Sequence, residues 1–236
     1  KVDISLPSAT CVRRLLLALI LAIICLSLLG QVSKHFLGHD NLKGFVRTFY
    51  VDYESNVPTW YSAFQLALAA GLLALVASIK TAHRHPFRRH WGALSLIFFL
   101  LSIDEVAMIH EYPIDPLRRA LGAGGLLYYT WVIPGAAFAA LVAVGFCRFL
   151  LQLPRRTRNG FLLAGAVFVG GAIGVEMLSG LQADLYGEEN FTYAVIVTAE
   201  ELLEMVGIAL FIHTLLEYLH AEVGEVSLRL GHAAAG

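Results

Sequence analysis

Two adjacent carboxylates, a histidine and a third carboxylate fall within one apolar stretch of the sequence, FFLLSIDEVAMIHE at 98–111. A charge at the centre of a bilayer costs at least about 2.5–3.5 kcal/mol, so such residues normally face a protein interior and pair, bind an ion or carry a proton. On an ideal helix Asp104 and Glu111 share a face. Glu105 and His110 project to either side of that face. We therefore predict a polar rib inside the protein along this segment.

Two later apolar stretches carry further carboxylates. Glu176 lies in the glycine-rich segment GGAIGVEM, and three more glutamates lie in the first half of the last apolar stretch. Counting 1.5 Å per residue along each helix places all of them in the same half of the bilayer as the polar rib. The predicted metal ligands are Asp104, Glu105, His110, Glu176, Glu200, Glu201 and Glu204, and the side chains expected around them are Ser102, Glu111, Tyr61, Gln65, Tyr128 and Tyr129.

Carboxylates and an imidazole converging from separate helices form a donor set that suits zinc, iron or manganese. A divalent metal ion is therefore the first hypothesis for this site, and whether it supports catalysis is left open. A second hypothesis is proton- or ion-coupled transport, because buried acids along helices can pass protons. A third is that the acids only hold the bundle together and that the chain is an auxiliary subunit of a larger membrane complex, with the glycine-rich stretch and the first helix as contact surfaces.

The composition indicates a membrane protein. The chain has 236 residues, of which 58% are hydrophobic and 15% charged, whereas soluble domains contain about a quarter charged residues. Mean hydropathy is +0.69. No long hydrophilic block separates the apolar stretches, so we predict a single transmembrane domain over residues 1–236. The net charge of −1 and the absence of a long basic tract argue against a nucleic-acid partner.

The apolar stretches predict an all-α integral membrane bundle of six transmembrane helices embedded in the lipid bilayer. Lys and Arg concentrate before the first span, between the second and third, and between the fourth and fifth. By the positive-inside rule both termini are then cytoplasmic, and the acids lie toward the outer face. The six predicted spans are about 15–30, 58–79, 91–112, 126–151, 161–181 and 191–219.

Five segments together resemble a group of uncharacterised bacterial multi-pass inner-membrane proteins. They are LSIDEVAMIHE, YYTWVIPGA, LPRRTR, GGAIGVEM and EELLEMVGIALFI, and the likeness covers about residues 90–220. The resemblance implies a bacterial inner (cytoplasmic) membrane location and a shared pattern of acids. It brings no assigned activity, so the residue roles above rest on chemistry alone.

Overall fold

The computed structural model describes residues 7–223, and every regular element in that range is helical. This confirms the all-α class for the described part of the chain. Short 3₁₀ turns at Leu42–Gly44, Ile109–Glu111 and Gly125–Leu127 lie in the connections, and a π-helical turn at Gly170–Val175 joins α7 to α8. The α-helices are α1 (Ala9–Leu37), α2 (Phe45–Phe49), α3 (Val57–Ala82), α4 (Arg88–Ala107), α5 (Ile114–Leu121), α6 (Val132–Gln152), α7 (Arg155–Val169), α8 (Glu176–Tyr186) and α9 (Phe191–Val223).

Five helical stretches are long and apolar enough to cross a membrane, namely α1, α3, α4, α6 and the continuous stretch Arg155–Tyr186. The outward face of α6 exposes large apolar side chains such as Leu141 and Val144, as a lipid-facing surface would. Over the sixth predicted span, α9 is one helix of 33 residues, about 50 Å long at 1.5 Å per residue. The chain therefore has the helices of a multi-pass membrane protein. The sixth crossing and the side on which the termini lie stay predictions, and the terminal residues 1–6 and 224–236 fall outside the described range.

The central helix is α9, which packs against α1, α3 and α7. Its residues Met205 and Leu219 are fully buried. Phe211 stacks on Phe98 of α4 and on Phe161 of α7, with 4.5 Å between ring centroids in each pair. The glutamates in the first half of α9 therefore lie on the central, well-packed helix of the bundle.

The third predicted span ends as a helix earlier than expected. Met108 adopts the left-handed conformation (φ 52°), and its N–H donates to the carbonyl of Asp104 at 2.7 Å, which closes α4. Asp104 and Glu111 therefore do not share one continuous helix face, and Glu111 is exposed. The predicted straight rib is corrected to a sharp corner, which brings His110 back toward the end of α4.

Other helix bounds also differ from the predicted spans, and α1 extends beyond its predicted span of about 15–30 at both ends. The helix of the fourth predicted span, α6, begins at Val132 and not near residue 126. Residues 125–131 form a 3₁₀ turn followed by bends and further turns. Pro134 then lies in the first turn of α6, where its missing N–H is not needed for helical bonding. The fifth helical stretch continues to Tyr186, beyond the predicted end near residue 181.

Candidate functional site

Asp104 and His110 form a hydrogen-bonded pair at the corner that ends α4. The carboxylate of Asp104 accepts hydrogen bonds from the backbone N–H of His110 (2.9 Å) and from its ring Nδ1 (2.8 Å). An ionised Asp104 favours the tautomer with the proton on Nδ1, which leaves a lone pair on Nε2. Within residues 7–223, no hydrogen bond reaches that Nε2. A carboxylate that orients an imidazole in this way is the usual support of a metal-binding histidine.

Three glutamates approach one another across α4 and α9. Glu105 lies in the last turn of α4, and Glu201 and Glu204 lie on α9. The carboxyl group of Glu201 interacts electrostatically with those of Glu204 and Glu105, and Glu204 interacts with Glu105 as well. All three side chains are half-buried, and none accepts a hydrogen bond from any described residue. These three residues, called the acidic trio below, are therefore carboxyl groups that interact with one another and have no hydrogen-bond donor among the described residues.

Glu176 and Glu200 form a second, better satisfied pair. The indole N–H of Trp131 donates to Glu176 Oε1 at 3.0 Å, and the Ser179 hydroxyl donates to Glu200 Oε2 at 3.0 Å. Glu200 is only 6% exposed, and its carboxyl group lies close enough to Glu176 to interact with it. The ring of Trp131 also packs against the imidazole of His110, with 4.8 Å between centroids. Trp131 thus links this pair to the Asp104–His110 corner.

A glycine in the π-helical turn allows α7 and α8 to approach the acids on α9. A Cβ placed on Gly171 would lie 2.8 Å from the backbone oxygen of Glu200 and 3.1 Å from Cγ of Glu204. Any side chain at this position would push the two helices apart. The π turn ends at Val175, directly before Glu176, and single π turns inside helices are frequently found at functional sites.

The loop before α3 was not predicted to contribute to the site. Asp52 in this loop accepts a hydrogen bond from the Tyr193 hydroxyl at 3.0 Å, and that hydroxyl is 2.9 Å from the hydroxyl of Tyr129. Tyr129 in turn donates to Glu188 at 2.8 Å. Burial of the Asp52 carboxyl raises its pKa to about 6, despite the hydrogen bond from Tyr193, and the nearby Glu188 raises the pKa further. The sequence signal that could have identified this loop is the cluster of polar residues at both of its ends.

Glu54 in the same loop links the acids to the protein surface. Its carboxyl group interacts electrostatically with Glu105 and with Glu201. It is also an exposed side chain and lines a cavity of about 440 Å³ at the same end of the bundle. Asp40, Asn41 and Arg47 line this cavity too.

The six side chains predicted to surround the acids do not form one group around them. Tyr129 belongs to the tyrosine network described above, and Gln65 is fully buried with no hydrogen-bond partner for its amide among the described residues. Glu111 is exposed. The remaining three make contacts elsewhere: Ser102 donates to the Ala63 carbonyl, Tyr61 donates to the Leu16 carbonyl, and the Tyr128 ring lies under the Arg118 guanidinium.

The predicted ligands form three neighbouring groups: the Asp104–His110 corner, the acidic trio and the Glu176–Glu200 pair. Across residues 7–223, no three His, Cys, Asp or Glu side chains are arranged as ligands of one ion. Gathering the trio and His110 around a common centre therefore requires the long glutamate side chains to change rotamer.

Comparison with known proteins places the chain in a family but adds no activity. No curated protein matches the chain, and no solved structure matches it. A family model described as "Domain of unknown function (DUF8692)" matches residues 13–219, and the chain therefore belongs to this family.

Proposed function

We propose that this protein is a six-helix bacterial inner-membrane protein, with cytoplasmic termini, that binds a divalent metal ion near the outer face. The observation that carries the proposal is the acidic trio, Glu105, Glu201 and Glu204, beside the Asp104–His110 pair. Three carboxyl groups without donors are an expensive arrangement in a low-dielectric bundle, and a bound cation offsets that cost.

The charges around the site favour a cation as the ligand. Among the described residues, the ion pair between His110 and Asp104 is the only one that involves any of the predicted ligands. The ion pair between Lys34 and Glu189 joins α1 to the loop before α9 at this end of the bundle. The site thus has a strong excess of acidic groups, as a cation site requires.

The donors also suit a particular class of metal. Carboxylate oxygens from the trio and Nε2 of His110 form a mixed oxygen and nitrogen set, which fits zinc, iron or manganese. Asp104 would orient the imidazole, while Glu176 and Glu200, already engaged by Trp131 and Ser179, would surround the ligands. The cavity bordered by Glu54 lies at the same end of the bundle as these donors.

Elemental analysis of the purified protein in detergent tests this proposal. We expect about one equivalent of zinc, iron or manganese in the wild type, with loss of metal in Glu105→Gln and Glu201→Gln, because each variant removes one anionic ligand of the ion. Glu189→Gln is the matched control, since Glu189 is exposed and lies at the same end of the bundle. A folded wild type that holds none of these metals after each has been supplied would refute metal binding.

Ion- or proton-coupled transport is the second candidate, favoured by the cavity that reaches Glu54 and by the interaction of Glu54 with Glu105 and Glu201. Transport predicts flux into protein-containing vesicles that depends on pH or on an ion gradient and disappears in Glu204→Gln. The subunit hypothesis predicts instead that the purified chain is unstable without partner proteins. Part of its expected contact surface is already used, because Gly171 packs against α9 and Gly180 packs against Tyr129 within the chain.

A further inference from the structure

Two carboxyl groups and two tyrosine hydroxyls lie in a row at the end of the bundle that carries the acids. Oδ1 of Asp52 lies 3.0 Å from the Tyr193 hydroxyl, and Oε1 of Glu188 lies 2.8 Å from the Tyr129 hydroxyl. Between them, the two tyrosine hydroxyl oxygens are 2.9 Å apart. All three distances are those of O–H···O hydrogen bonds. These four residues are called the carboxyl–tyrosine chain below.

The carboxyl–tyrosine chain is one proton short when both of its carboxyl groups are ionised. Three hydrogen bonds need three protons, and each tyrosine hydroxyl supplies only one. If Tyr193 donates to Asp52 and Tyr129 donates to Glu188, no proton is left between the two hydroxyls. Lone pairs of two oxygen atoms then face each other over 2.9 Å. One further proton, on either carboxyl group, turns all three contacts into hydrogen bonds.

The protein supplies no alternative donor for the contact between the hydroxyls. Among the described residues, no other side chain or backbone N–H donates to either of them. Tyr193 is only 4% exposed, so water is largely excluded from its side of the contact. The missing hydrogen bond therefore depends on protonation of the chain itself.

The groups around Asp52 disfavour its ionised form. Burial, with a smaller contribution from the carboxyl groups of Glu188 and Glu176, raises the pKa of Asp52 to about 6 despite the hydrogen bond from Tyr193. Lys34, a cation at this end of the bundle, is bound to Glu189. The titratable groups that interact with Asp52 are Tyr50 and Glu54 in its own loop, Glu176 on α8, Glu188 before α9, and Tyr193 and Glu201 on α9.

We propose that the carboxyl–tyrosine chain is a proton-binding site in which Asp52 and Glu188 share one proton through Tyr193 and Tyr129. With the proton on Asp52, every O–H donates in the direction of Glu188. If each oxygen passes its proton to the next, the proton leaves Asp52, arrives on Glu188, and all three hydrogen bonds reverse. Glu188 is exposed, so the chain also connects Asp52, beside Glu201, with solvent. The proposal does not depend on a bound metal.

Titration of the Asp52 carboxyl group in Tyr129→Phe tests the proposal. NMR of isotope-labelled aspartate in the metal-free full chain in detergent reports its protonation, and Asp52→Asn identifies its signal. Without the Tyr129 hydroxyl, Tyr193 donates to an ionised Asp52 with no second hydroxyl oxygen facing it. We therefore expect the affinity of Asp52 for its proton to fall about tenfold, the effect of one hydrogen bond to a charged group. Tyr128→Phe, which removes a neighbouring hydroxyl outside the chain, should leave the titration unchanged.

A Tyr193→Phe background tests whether the effect passes along the chain. This variant disconnects Asp52, so adding Tyr129→Phe should cause no further change. Glu188→Gln alters only an exposed side chain, and its amide can donate the missing proton to Tyr129. It should lower the proton affinity of Asp52 more in the wild type than in Tyr193→Phe, because the loss of its charge acts in both.

Three outcomes would overturn the assignment. The first is a titration of Asp52 in Tyr129→Phe that matches Tyr128→Phe or moves to higher pH. The second is the same fall in proton affinity when Tyr129→Phe is added to Tyr193→Phe. The third is an equal effect of Glu188→Gln in both backgrounds, which would reduce the relation to electrostatics. All titrations use metal-free protein, so their result is independent of the metal experiment.

Discussion

Replacing Asp104 by asparagine tests whether His110 is held for metal binding. The two side chains have the same shape, and the amide oxygen can still accept the hydrogen bond from the His110 backbone, now 2.9 Å long. In the wild type, Nδ1 of His110 donates to the second carboxylate oxygen over 2.8 Å. The amide nitrogen that replaces this oxygen is a donor and cannot accept that hydrogen bond. The substitution therefore favours the tautomer with Nδ1 as acceptor and the proton on Nε2.

The expected loss of metal affinity follows from this change of tautomer. An imidazole protonated on Nε2 offers no lone pair there, so a metal must first reverse the tautomer against the new hydrogen bond. Changes to the partners that orient metal-binding histidines typically lower metal affinity about 10–100-fold, which corresponds to about 1.4–2.7 kcal/mol. The corner at Met108 should persist in the variant, because its backbone hydrogen bonds are retained.

Calorimetric titration of metal-free protein with zinc or manganese in detergent measures the effect. Asp104→Asn and His110→Gln should both bind about 10–100-fold more weakly than the wild type. If Asp104 acts through His110, the double variant should bind the metal no more weakly than His110→Gln alone. Asp115→Asn is the control, because Asp115 is exposed and pairs only weakly with Arg118 at 3.5 Å. Fully additive losses in the double variant, or wild-type affinity in Asp104→Asn, would refute the proposed orienting role.

Two further predictions concern stability. Gly171→Ala should lower the free energy of unfolding in detergent by about 1–3 kcal/mol through overpacking against Glu200, whereas Gly174→Ala, where an added Cβ meets open space, should not; equal thermal stability of the two variants would contradict the close approach. In metal-free protein, the raised pKa of Asp52, about 6 when folded, makes the native state bind more protons than the unfolded state between about pH 4 and pH 6. Wild-type melting temperature should therefore fall as pH rises through that range, by more than in Asp52→Asn, and identical pH profiles would contradict the assignment.

The residues that form the site were predictable because their types are costly in an apolar helix. Asp104, Glu105 and His110 stand out in the sequence, and the structure brings them close to the predicted glutamates of α9. The corner at Met108 was not predictable, because a left-handed methionine has no sequence signal comparable to that of glycine. It depends on the hydrogen bond that Asp104 accepts from the His110 backbone.

The loop before α3 was missed for a different reason. Asp52 and Glu54 lie in a polar connection, where charged residues are normal and carry no information about location. Their role depends on how the loop folds over the end of the bundle, which Tyr193 fixes through its contact with Asp52. Periodicity and hydropathy describe helices, and neither constrains such a tertiary contact.

The packing of the two sides of the site suggests how a cation could be accommodated. Glu201 and Glu204 belong to α9, whose core residues are fully buried, so their backbone forms a fixed wall. His110 follows a helix end, and Glu54 lies in a loop, so both are on segments with fewer packing restraints. Metal binding should then leave the backbone of α9 in place and increase amide protection chiefly in the segments around Glu54 and His110. Hydrogen exchange with and without metal measures this directly, and a protection increase confined to α9 would contradict the division into a fixed wall and adjustable partners.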